Sequence, residues 1–90
     1  MNFRRAMKEV EEGRTVKVMP NSEEYPFLVK VDYYKDETCL LCRCLTKDGT
    51  HLEPDLDWEP VCYLLCFDDY LDGEWEVVDA DDYRFKGDDE

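Results

Sequence analysis

Positive charge is what this chain lacks: its 90 residues carry 11 Lys and Arg against 24 Asp and Glu, a net charge of −13. A nucleic-acid-binding face needs a surplus of cations to displace phosphate counterions, so the balance argues against DNA or RNA as a direct ligand. Long apolar runs are also missing. The longest uncharged apolar stretch, Val61 to Phe67, is far shorter than the roughly 20 residues of a membrane-spanning helix. Arg4 and Arg5 have no apolar segment behind them, which argues against a signal peptide and predicts a cytoplasmic protein. Histidine occurs once, at His51, and the four glycines, at 13, 49, 73 and 87, punctuate elements rather than form a phosphate-cradling loop. The five cysteines are an odd number, which speaks against a complete disulfide framework and for free thiols in a reducing compartment.

What is present indicates a folded domain. Hydrophobic residues make up 43% of the chain and aromatic residues 13%, too much apolar material for an acidic disordered linker. A chain this short buries a modest fraction of its surface, so a homo-oligomer is expected to supplement the core.

Phe3, Ala6, Met7 and Val10 fall at helical spacing, with Asn2 as N-cap and Gly13 as the residue that ends the helix. Arg14 to Met19 alternates as a half-buried strand until Pro20 stops it. From Tyr25 to Tyr34 the period is again two, Lys35-Asp36-Glu37 turns the chain, and Thr38 to Thr46 returns as the second arm of a hairpin. A turn at Asp48-Gly49 leads the meander on through His51 to Glu53. Pro54 and Pro60 bracket a surface connection with Trp58 partly buried, and Val61 to Cys66 reads as a further, apolar strand. Phe67 to Leu71 forms a short helical turn closed by Gly73, and Glu74 to Asp79 is the last strand. The expected fold is α+β: an N-terminal helix on an antiparallel sheet of about five strands, with a short second helix before the last. Residues 1–80 would form one domain and 81–90 an acidic, mobile, solvated tail.

Cys39, Cys42, Cys44, His51, Cys62 and Cys66 are the residue types zinc prefers, but their spacing does not suit it. Cys39 and Cys42 sit in an apolar strand and point to opposite faces, while Cys42 and Cys44 share one. We read these cysteines as buried structural thiols and expect neither metal nor cofactor. Acidic pairs such as Asp55/Asp57 and Asp68/Asp69 arise by chance in so acidic a chain, and no nucleophile and base are paired. Catalysis is therefore not expected. The charge is unevenly spread: residues 1–20 hold five cations against three carboxylates, a net of +2, which leaves −15 in the remainder. Arg4, Arg5, Arg14 and Lys17 are thus the candidates for holding an anionic ligand, with Tyr25 or Trp58 as a stacking face; Trp75 reads as core.

The opening, Met1-Asn-Phe-Arg-Arg-Ala-Met-Lys-Glu-Val-Glu-Glu-Gly-Arg-Thr-Val-Lys-Val18, and the closing Phe67-Asp-Asp-Tyr-Leu-Asp-Gly-Glu-Trp-Glu-Val-Val78 resemble small phage and prophage proteins of the second Thoeris anti-defence family. The resemblance implies a small α+β domain that assembles as a homo-oligomer and sequesters cyclic ADP-ribose-type signalling nucleotides; an anti-CRISPR protein is related to that family. The chain departs from the family pattern after the first strand, where Lys17-Val-Met-Pro-Asn21 lacks an aromatic, and around Trp58-Glu-Pro60, where no Ser follows. The leading expectation is capture of a cyclic nucleotide signal without catalysis. The alternative is an acidic decoy that imitates nucleic acid and blocks a basic host defence protein, for which the −15 of residues 21–90 is the raw material.

Overall fold

The computed structural model describes residues 1–60 and 68–87. Helix α1 spans Phe3–Glu11 and begins where the Asn2 side chain accepts from the Arg5 amide at 2.9 Å. It ends at Gly13, whose φ of +92° is open to glycine at little cost and whose amide returns to the Val10 carbonyl at 3.0 Å. Strand β1, Thr15–Met19, follows, with Val16 and Val18 buried and their neighbours half-exposed. Strands β2, Phe27–Tyr34, and β3, Glu37–Cys44, are joined by a two-residue turn. Both turn residues, Lys35 and Asp36, have positive φ, +52° and +68°, the handedness that matches the twist of a tight hairpin.

Helix α2, Asp68–Leu71, leads through Gly73 into strand β4, Glu74–Val78. A Cβ at Gly73 would run into the Met19 carbonyl, so glycine lets β4 start close against the end of β1. The sheet is antiparallel throughout, in the order β3-β2-β1-β4.

The register sorts the side chains by face. Val16 lies opposite Val29, Val18 lies between Phe27 and Trp75, and Phe27 and Val29 lie opposite Cys44 and Cys42. Helix α1 covers this face with Ala6 and Val10, supported by Phe3 and Met7, and together they form the main core. Phe3 meets Trp75 edge to face at 5.4 Å. From α2, Tyr70 packs on Phe27, and its hydroxyl donates to the Tyr25 carbonyl at 2.8 Å. The Trp75 indole N–H donates to the Tyr70 carbonyl at 2.9 Å, which ties α2 to β4.

The fold class is the expected one, an N-terminal helix on an antiparallel sheet with a short helix before the last strand. Among the described residues the sheet has four strands, against the about five expected. The strand anticipated at Val61 to Cys66 lies outside the described residues. The anticipated continuation through His51 to Glu53 is reduced to isolated bridges, Leu45 to Leu52 and Leu52 to Phe85. The physical reason is the partner: Leu52 donates its amide not to a neighbouring strand of the meander but to the Arg84 carbonyl, at 2.8 Å. Residues 80–87 thereby lie over the sheet face opposite α1, after a single 3-10 turn at Ala80–Asp82.

Candidate functional site

On the face turned away from α1, the same register places Lys17, Leu28 and Arg43 in one cross-strand row, with Lys30 and Leu41 in the next. Leu28 and Leu41 are buried there, under the connection that follows β3 and the segment that follows β4. Each cation in these rows meets an aromatic ring from a covering segment. Lys30 Nζ stands 4.2 Å from the centre of the Trp58 ring, the Arg43 guanidinium 5.5 Å from Phe85, and Lys17 Nζ 5.7 Å from Tyr83. Contacts of this kind are electrostatic attractions between a cation and the negative face of a ring, and they strengthen as water is removed.

Between the sheet and its cover lies a cavity of about 480 Å³, floored by Leu28 and walled by Lys30, Arg43, Arg84, Trp58 and Tyr83. Its volume is in the range of small-molecule sites. Lys30 and Arg43 each have a carboxylate neighbour, Asp32 at 3.3 Å and Asp57 at 3.1 Å. The pairs are unequal in burial: Lys30 and Arg43 are 26% and 15% exposed, Asp32 and Asp57 54% and 81%. Positive charge is therefore held inward and negative charge at the rim, where solvent screens it. The Asp32 carboxyl sits below the usual range, first through the Tyr33 amide it accepts from and then through Lys30. Asp81 also lines the cavity and is the acid within it that must be screened or turned outward.

Arg43 is the most constrained of these groups. Its Nη1 donates to Asp57 at 3.1 Å, while its Nε is buried and has no hydrogen-bond partner. A buried donor left unmade costs about 1–3 kcal/mol.

The residues singled out in the sequence divide between the two sides of the sheet. Arg4, Arg5 and Arg14 belong to the α1 side. Arg5 pairs with Glu9 at 3.4 Å, and Arg14 pairs with Glu9 at 2.8 Å and with Glu12. Glu12 first, and Glu9 with it, raise the pKa of the Arg14 guanidinium. Arg4 lines a shallow hollow on α1 with Phe3, Met7 and Lys8. Tyr25 lies two residues before β2, 41% exposed, with Lys47 Nζ 5.4 Å from its ring. Lys17 and Trp58 are on the opposite face, Trp58 inside the cavity and Lys17 beside a wider hollow of about 760 Å³. Glu76, Asp79 and Asp82 line that second hollow, so it suits an anion poorly.

The six residues thus do not form one site, and the cations gathered around the aromatic cavity come from the acidic part of the chain. Lys30, Arg43, Arg84 and Tyr83 were not among the sequence candidates. The usable signal was the two-residue turn: pairing Tyr34 with Glu37 fixes Leu28 opposite Arg43 and Lys30 opposite Leu41 on one face.

Cys39, Cys42 and Cys44 follow the strand alternation, and Cys62 and Cys66 lie outside the described residues. Cys42 and Cys44 are buried under α1, and Cys39 lies opposite Asp32 on the other face. Burial, with a smaller contribution from Glu53, pushes the Cys44 thiol up to about 11, so it is a poor nucleophile at neutral pH. Among the described residues no group of three His, Cys, Asp or Glu is placed to hold a metal ion. No helix among them is long and apolar enough to cross a membrane. No family model matches this chain, and neither a curated protein nor a solved structure matches it.

Proposed function

We propose that this chain captures a phosphate-bearing nucleotide of the cyclic ADP-ribose type and holds it chemically unchanged, as an anti-defence protein acting in the cytoplasm of an infected bacterial cell. One observation carries the reading: a single cavity brings three cations, Lys30, Arg43 and Arg84, together with two aromatic side chains, Trp58 and Tyr83. Cations meet phosphoryl oxygens through charge-assisted hydrogen bonds, and an aromatic face stacks on a base of any sequence. Capture asks for nothing more than these two kinds of contact. The resemblance of the two chain ends to the nucleotide-sequestering family points the same way. A homo-oligomer is part of the proposal.

The test is to incubate the protein with cyclic ADP-ribose isomers and, separately, cyclic dinucleotides, remove free ligand, denature the protein and assay what is released. Release of an intact nucleotide is the expected result. Recovery of none of them would remove the proposal.

A second reading is favoured by a different observation. Asp68, Asp69, Asp72, Glu74, Glu76, Asp79, Asp81 and Asp82 are all exposed, and no Lys or Arg occurs between the first and the last. Carboxylates spaced this way can imitate phosphates toward a basic host protein that binds DNA or RNA. That reading expects salt-sensitive binding to the host protein and indifference to small nucleotides.

A further inference from the structure

We propose that Arg43 is the oxyanion anchor of the cavity, and that a phosphoryl group reaches its Nε–Nη2 edge by displacing Phe85 and the strap of residues 80–87. The inference rests on the capture reading and adds to it which donor pair takes the phosphate and what must move.

A guanidinium offers donors along two edges. At Arg43 the Nη1 donor is committed to Asp57 at 3.1 Å, which fixes the plane of the group, and Nε is left without a partner. Nε and Nη2 point in parallel and match the two oxygens of one phosphoryl group, a fork that a lysine ammonium does not provide. In the free chain the Nε end of this edge is buried, and the Phe85 ring stands 5.5 Å from the guanidinium carbon. The cover is lightly held. Phe85 is itself 36% exposed, and the strap is tied to the sheet side through Leu52, whose amide donates to the Arg84 carbonyl at 2.8 Å. Lifting it uncovers a desolvated donor that an oxyanion satisfies, and the same strap carries Arg84 and Tyr83 back onto the bound ligand. Among the described residues the bond from Leu52 to Arg84 is the one backbone hydrogen bond between the strap and the sheet side, and a segment held in this way opens locally at low cost, on a faster timescale than global unfolding.

The experiment titrates wild type, Arg43→Lys, Arg43→Gln and Phe85→Ala with ADP, inorganic pyrophosphate and adenosine, by calorimetry for affinity and stopped-flow Trp fluorescence for rates. ADP and pyrophosphate should bind wild type, with adenosine weaker than ADP by roughly tenfold or more. Arg43→Lys should lose about as much affinity as Arg43→Gln, roughly tenfold or more, because the charge is kept and the fork is lost. Phe85→Ala, at an exposed position, should associate faster than wild type. The Nε–H proton resonance of Arg43 in the wild-type protein should move downfield on adding ADP, a readout that needs no variant to fold. Equal affinity of Arg43→Lys and wild type, or an Nε–H resonance unmoved at saturating ADP, would overturn the anchor. An unchanged association rate in Phe85→Ala would overturn the strap. If a nucleotide is recovered in the release assay while these arms fail, the anchor falls and capture stands. If wild type binds neither ADP nor pyrophosphate and the release assay is empty, both fall.

Discussion

The ammonium of Lys30 stands 4.2 Å from the centre of the Trp58 ring and 3.3 Å from the Asp32 carboxylate. One sheet residue thereby fixes a ring that comes from the proline-bracketed connection, and fixes it in the wall of the cavity. The ring's other uses follow from that position. A tryptophan held by a cation on the protein side presents its remaining surface to a ligand at little further entropic cost, because its rotamer is already chosen.

Trp58→Ala should therefore weaken nucleotide capture by about 1–3 kcal/mol, the usual worth of one base stacked on one aromatic, while Trp58→Phe keeps much of it. Calorimetric titration with the nucleotide recovered in the release assay measures both. Equal affinities for wild type and Trp58→Ala would place the base elsewhere.

The division of the sequence candidates between two faces gives a paired prediction. Replacing Arg4, Arg5 and Arg14 together by Ala should leave affinity within about twofold, since these groups lie across the sheet from the cavity and solvent screens them. Arg84→Ala should reduce it roughly tenfold. A larger loss in the triple variant than in Arg84→Ala would return the ligand to the helix side.

Tyr70 links stability to alkaline pH. Burial first, then the nearby Glu24, pushes its phenol up to about 12 from an ordinary value of 10.0. The folded state thus prefers the protonated phenol, and the stability this provides is complete below pH 10 and lost as pH rises toward 12. Tyr70→Phe removes the hydrogen bond to the Tyr25 carbonyl, a cost of about 1 kcal/mol at pH 7. Urea unfolding of both proteins from pH 7 to 11 should show that difference shrinking above pH 10. A constant difference would mean that the phenol does not titrate with unfolding.

Asp48 acts at the opposite end of the pH scale. Its carboxylate accepts from the Thr46 hydroxyl, then from the hydroxyl and amide of Thr50, which holds it down at about 2 from an ordinary 3.8. A lowered carboxylate stabilises the fold above its unfolded value and ceases to do so as pH falls through its folded one, so the loss falls between pH 3.8 and 2. Asp48→Asn should flatten the stability profile in that window, as read from thermal unfolding in acid. An unchanged acid profile would show that the 47–50 turn opens before the carboxylate protonates.

Sequence alone determined the local elements. The Asn2 cap, the spacing of Phe3, Ala6, Met7 and Val10, the breaks at Gly13 and Pro20 and the hairpin at Lys35-Asp36 all use interactions within a few residues, and so did the assignment of Cys42 and Cys44 to one face. Tertiary structure decided what no local pattern encodes. Strand β4 pairs with β1 because Gly73 admits it against Met19, and Leu52 takes its partner from Arg84 rather than from the meander. The candidate site was read from charge density along the chain, which favoured the first twenty residues. Charge density along a chain carries no information about which cations share a sheet face or which are covered from water. The register and the returning segment set those two properties: Lys30 and Arg43, which lie in the acidic remainder of the chain, are folded inward beneath aromatic rings while their carboxylate partners stay in solvent.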